Sequence, residues 1–188
     1  MLVVKYNGLK KKVPTDWTEI TIKQFHNLYQ IMFDYEDKDI DKNEIEKLNF
    51  IRDYATYLLK EDRKYVDLMD PKDVEHLVSA SQNLLKEYEY KKLSHFEFDK
   101  VKYYFPTDIR DYTFGEYIEC SALDTSSKLL KNGRFDVIAE MIARMCKTED
   151  EYGSYLTEEK VKERAKIFEN LTMDIVWEFN FFLLSQQE

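Results

Sequence analysis

Glycine and proline are scarce in this chain, four and three among 188 residues, and cysteine is scarcer still at two. The glycines stand apart at positions 8, 115, 133 and 153. That scatter excludes phosphate-binding loops, whose backbone must curl closely round the ligand. Few glycines and prolines favour long regular elements over elaborate loops. Cys120 and Cys146 have no paired spacing, so neither a disulfide framework nor a thiolate metal site is expected. They read as small buried hydrophobes in a reducing compartment. His26, His76 and His95 lie in different elements and none completes a metal-binding helix pattern, so each is expected at or near the surface. No apolar run is long enough for a bilayer: residues 175–184 are the most apolar, and Glu178 and Asn180 interrupt them. The opening residues turn polar too soon for a signal peptide. A soluble protein made inside the cell is the expectation.

Aromatic residues and mixed charge are plentiful. Apolar residues make up 44% and aromatics 15%, enough to pack a core and to argue against disorder. The 37 carboxylates exceed the 28 lysines and arginines, giving a net charge of -9. Such a chain repels phosphate backbones, so nucleic acid is not expected as its main ligand, while a basic protein surface would attract it.

The chain also reads as two copies of one unit, offset by 92 positions. Pro14-Thr15-Asp16 recurs as Pro106-Thr107-Asp108, Thr21 matches Thr113, and apolar positions fall on apolar positions. Each copy opens on a hairpin. Asn7-Gly8 suits the positive φ angles of a type I′ turn, and Asp99-Lys100 takes the same place in the second copy. A helix follows, with Thr21 or Thr113 as N-cap. Its inward face is expected to carry Ile22, Phe25, Leu28, Tyr29 and Phe33 in copy one. In copy two Phe114, Tyr117, Ile118 and Leu123 take that role. A second helix is expected after an Asp41–Glu44 capping box, with Ile45, Leu48, Ile51, Ala55, Leu58 and Leu59 inward. Residues 135–146 match it. Asp70-Pro71 and Thr157 open the third helices, and residues 173–184 add one more. The fold class is therefore α+β, mainly α-helical: two pseudo-repeats of a β-hairpin plus three helices, spanning 1–91 and 92–188, with an extra C-terminal helix.

Candidate chemistry is thin. Glu116 and Glu119 share a helical face, and Glu149, Asp150 and Glu151 form an acidic turn, but such runs are ordinarily solvated. The acidic loop 34–41 lacks the central glycine and terminal glutamate of a calcium loop. Lys10-Lys11-Lys12 suits an edge strand guarded against strand addition. No catalytic, cofactor or metal residue is expected. The aromatics invite more interest. Tyr103 and Phe105 sit on a strand with rings on both faces. Trp177, Phe179, Phe181 and Phe182 cover so much of the last helix that it must be buried all round. That helix threads the seam between the copies or docks into another subunit, and these six residues are the candidate interface.

Val4, Tyr6, Asn7, Gly8, Val13, Pro14, Trp17, Glu19, Ile20, Thr21, Gln24 and Phe25, followed by Tyr104-Phe105-Pro106 and by Gly115-Glu116-Tyr117-Ile118-Glu119, form a pattern of turns and aromatics. It resembles small morphogenesis proteins of tailed bacteriophages, which serve as tail or baseplate components or as assembly chaperones. The resemblance implies a non-enzymatic protein acting by protein–protein contacts, found in the host cytoplasm during assembly or in the virion. Its partners would be other phage subunits or further copies of itself, with no membrane and no cofactor. The alternative expectation is an acidic adaptor or inhibitor that occupies a basic site on a host protein.

Overall fold

The computed structural model describes residues 2–6, 9–36, 38, 42–86, 88–107, 111–129 and 135–185. Within those ranges the side chains of residues 5, 6, 9, 124–129, 135, 136 and 181–185 also lie outside the description. The fold is α+β and mainly helical, with eight α-helices and two separate two-stranded antiparallel sheets among the described residues. The chain divides into two compact units, residues 1–20 with 24–87, and residues 21–23 with 88–188.

The first unit opens on β1 (Leu2–Tyr6) and β2 (Leu9–Val13), in register from Leu2↔Val13 to Tyr6↔Leu9. The intended turn pair, Asn7-Gly8, lies outside the described residues. Asp16 then accepts from the Thr18 amide at 3.0 Å and starts a 3-10 turn, Trp17–Glu19. α1 (Ile22–Asp34) follows, its first two residues grouped with the second unit. Ile22, Phe25 and Leu28 are buried on one face, as the periodicity predicts. α2 (Glu44–Leu59) is capped by Asn43, whose side chain accepts from the Ile45 and Glu46 amides. The expected capping box falls two residues early, and Asp41 lies outside the described residues. The apolar stripe of α2 is half right: Ala55, Leu58 and Leu59 are buried, whereas Ile45 and Leu48 are exposed. After α3 (Arg63–Val66), Asp70 and Pro71 open α4 (Pro71–Ala80) as expected, with Asp70 accepting from the Lys72 amide at 2.9 Å. The Tyr54 hydroxyl, deep in this core, donates to the Ser81 carbonyl at 3.0 Å. Burial pushes that phenol up to about 12.

The second unit begins with β3 (His95–Phe98) and β4 (Val101–Tyr104). Their register leaves Asp99 and Lys100 as a two-residue turn with φ of 50° and 66°. Both angles are positive, as a type I′ turn requires. α5 (Phe114–Leu129), α6 (Phe135–Met145), α7 (Glu158–Phe168) and α8 (Met173–Ser185) complete it. Thr157 caps α7 by accepting from the Lys160 amide at 3.3 Å. Phe168 meets the rings of Tyr103, Phe96 and Phe98 edge-on at 5.0, 5.8 and 5.9 Å, fastening the hairpin to α7. Residues 21–23 join this unit through main-chain bonds. Ile22 and Lys23 donate to the carbonyls of Leu171 and Glu169, and Thr21 bridges Thr172. Glu178 of α8 is buried, and its carboxylate accepts from the Tyr88 hydroxyl and from the amides of Lys91 and Leu93 at 2.7–2.9 Å. The residue that interrupts the apolar run thus anchors the chain leading into the second hairpin.

Candidate interaction surface

α5 starts with reciprocal capping. The Thr113 hydroxyl accepts from the Glu116 amide at 3.2 Å, and the Glu116 carboxylate accepts from the Thr113 amide at 2.7 Å. The same carboxylate is fully buried and receives the Lys147 ammonium at 2.9 Å. Lys147 is buried too, and it also donates to the Ser154 carbonyl at 2.8 Å. Its main chain is tied to the hairpin, because its carbonyl accepts from the Tyr104 amide at 2.9 Å. Gly153, at φ 73°, supplies the left-handed step in the turn that presents the Ser154 carbonyl. A buried pair of this kind stabilises little in itself but strongly disfavours arrangements that separate it. It sets which way α5 faces.

The consequence corrects the expected facing of α5. Glu116 and Cys120 point into the unit, while Phe114, Tyr117 and Ile118 are 76%, 45% and 50% exposed. Those three occupy positions i, i+3 and i+4, one continuous face over the first two turns. Tyr112 stacks near Tyr117 with ring centroids 6.2 Å apart, and the Phe114 and Tyr117 rings lie 6.5 Å apart. Tyr155, also exposed, lays its ring beside Gly115, where an added Cβ would meet it at 3.5 Å. Its hydroxyl donates to Glu119 at 2.8 Å, a bond that raises its phenol from the ordinary value. Aromatic surface therefore runs from α5 onto the turn after α6.

Two buried arginines brace this surface from behind. Arg144 of α6 bonds Glu119 of α5, Glu140 of its own helix at 3.1 Å and Glu158 of α7 at 2.9 Å. Arg164 of α7 donates to the carbonyls of Ala143 and Cys146 at 3.2 Å each. It thus satisfies the end of α6, where a cation complements the helix dipole. The same guanidinium pairs with Glu151 and stands 5.2 Å from the Tyr103 ring. Burial alone would raise the Glu151 carboxyl, but hydrogen bonds from Arg164, Lys160 and the Thr148 amide hold it down to about 2.

Of the six residues expected to form an interface, the side chains of four are described. Phe105 and Phe179 are buried in the second unit's own core, and Tyr103 is half-buried in the aromatic cluster with Phe96 and Phe168. Trp177 is half-buried. The side chains of Phe181 and Phe182 lie outside the described residues. Two of the expected interface rings, Phe105 and Phe179, are therefore core, and the exposed apolar residues of α5 are Phe114, Tyr117 and Ile118, which the sequence pattern places inward. The available signal was Glu116 followed by Cys120: a carboxylate and a thiol at helical spacing can make the inward face when a lysine waits there.

Both cysteine thiols are buried. Burial pushes the Cys120 thiol up to about 12, against the lowering effect of Arg144, and burial also raises the fully enclosed Cys146 thiol well above its ordinary value. His26, His76 and His95 are exposed. Among the described residues no group of three or more histidine, cysteine or acidic side chains could hold a metal ion. No helix among them is long and apolar enough to cross a membrane. Comparison with protein-family models, curated proteins and solved structures finds no match to this chain.

Proposed function

We propose that this chain is a non-enzymatic protein that works through protein–protein contacts, with the outer face of α5 as its principal docking surface. The observation that carries the proposal is the inverted burial of α5. An apolar triplet stands in solvent while a carboxylate, a lysine and a thiol occupy the interior behind it. Soluble proteins rarely leave contiguous aromatic surface uncovered unless something binds there. The resemblance of residues 4–25 and 104–119 to phage morphogenesis proteins supports taking the neighbours to be subunits of a tailed phage particle. The chain would then be a component of the tail or baseplate, or a chaperone of its assembly. We further read residues 1–91 and 92–188 as copies of one hairpin-plus-helices ancestor, supported by the shared element order and the matched Thr21 and Thr113.

The test is complementation. Deleting the reading frame should abolish particle formation, the wild-type chain should restore it, and the double variant Phe114→Ser, Ile118→Ser should fail to do so while remaining folded. Mass spectrometry of purified particles then separates the two roles, since stoichiometric presence marks a subunit and absence a chaperone. Undiminished particle yield after deletion overturns the reading.

A further inference from the structure

The exposed face of α5 does not stand alone in neutral surroundings. Its two contributing segments, residues 111–123 and 147–159, hold eight carboxylates and a single cation, Lys147, which is buried on Glu116. Neighbouring cations reach them from elsewhere: Arg144, Lys160, Lys162 and Arg164 pair with Glu119, Glu151 or Glu158. Counting those four with Lys147, five cations against eight carboxylates leave these two segments with an excess of three negative charges. Glu149 and Asp150 are exposed on the second of these segments. The two segments are continuous in space, because Tyr155 covers Gly115 and bonds Glu119.

Resting on the reading above, we infer that this face receives a basic segment of a partner protein, one that carries apolar anchors among lysines or arginines. Three physical arguments select that occupant. Aromatic faces with a carboxylate rim attract guanidinium and ammonium groups by cation–π and ionic contacts together. A second copy docking through this same face in a two-fold dimer would set the acidic rim against itself. Anionic lipid and nucleic acid are repelled for the same reason. The apolar triplet supplies the desolvated centre and the carboxylates the polar rim of a standard interface.

Random peptides displayed on yeast, sorted against the full chain, test the inference without assuming the partner. Enriched sequences should carry net positive charge and at least one large apolar residue. They should bind the Phe114→Ser, Ile118→Ser variant about tenfold or more weakly, as loss of an interface centre does. The Glu149→Lys, Asp150→Lys variant changes exposed positions only. It should weaken binding several-fold and flatten its salt dependence. Circular dichroism checks that both variants keep wild-type helix content. Peptides without net positive charge that still require Phe114 and Ile118 would overturn the basic partner and leave the docking face standing. Peptides indifferent to the Phe114→Ser, Ile118→Ser change, or no enrichment at all, would overturn both the inference and the face.

Discussion

α1 and α5 begin alike in sequence and bury opposite faces. Thr21-Ile22-Lys23-Gln24-Phe25 aligns with Thr113-Phe114-Gly115-Glu116-Tyr117 at the offset of 92. Ile22 and Phe25 are buried, whereas Phe114 and Tyr117 stand in solvent. The deciding position is the fourth: Gln24 is half-buried, but Glu116 is wholly interior and bound to Lys147. An apolar stripe therefore says that a helix has a greasy side. It does not say that the side faces the core, because a buried charge with a matched partner can claim the interior instead.

The contrast breaks most directly by truncating matched rings. Phe25→Ala should destabilise by about 3–5 kcal/mol, since its ring is enclosed and lies 5.7 Å from Trp17. Phe114→Ala should stay within about 0.5 kcal/mol, as surface substitutions do. Urea unfolding of both variants decides the matter. Equal losses would mean that α5 buries its apolar face after all.

A change of similar size should follow from orphaning the charge. Lys147→Met leaves Glu116 enclosed without its cation, which costs about 3–5 kcal/mol. Replacing both partners, Glu116→Leu with Lys147→Met, should recover most of that loss. The remainder should be about 1 kcal/mol for the missing cap on the Thr113 amide. If the double variant is as unstable as the single one, the pair is not what orients α5. Surface pairs make the useful control. Arg63 grips Asp53 with both nitrogens yet is half-exposed, so Arg63→Met should cost about 1 kcal/mol or less.

These examples also mark what is legible in the sequence. The second hairpin and the caps at Asp70, Thr113 and Thr157 were legible because each signal is confined to a few neighbouring residues. The facing of α5 was not, because it depends on Lys147, 31 positions away. The role of Glu178 is illegible in the same manner. It reads as a flaw in an apolar helix, and its purpose lies in Tyr88, Lys91 and Leu93, more than 80 residues upstream. Ring size alone does not separate interface from core either, since Phe105 and Phe179 are both buried within the second unit.

Acid titration probes the brace behind α5. Glu151 has a folded value of about 2 against an ordinary 4.5, held down against burial by Arg164, Lys160 and the Thr148 amide. A depressed carboxyl contributes stability that is fully present above about pH 4.5. That contribution fades as the pH falls toward about 2. Glu151→Gln should lower stability at neutral pH and remove part of the acid-induced decline in that window. Stability–pH profiles of wild type and variant that run parallel from neutrality to pH 2 would show that Glu151 is not the group responsible.

The smallest effect lies at the hairpins, whose connecting residues differ in sequence. The sequence offers Asn7-Gly8 after β1, a glycine second, whereas Lys100 must adopt φ 66° with a full side chain. A non-glycine residue in the left-handed region carries a steric cost of about 1 kcal/mol between Cβ and its own backbone. Lys100→Gly relieves that cost but adds freedom to the unfolded chain, which offsets some of the gain. The balance favours glycine because the turn requires positive φ at both central positions, and Asp99 already occupies the first at 50°. The variant should therefore be more stable by about 0.5 kcal/mol, seen as a higher urea midpoint at unchanged slope. A lower midpoint would mean that the side chain of Lys100 makes a contribution on the hairpin larger than the strain it bears.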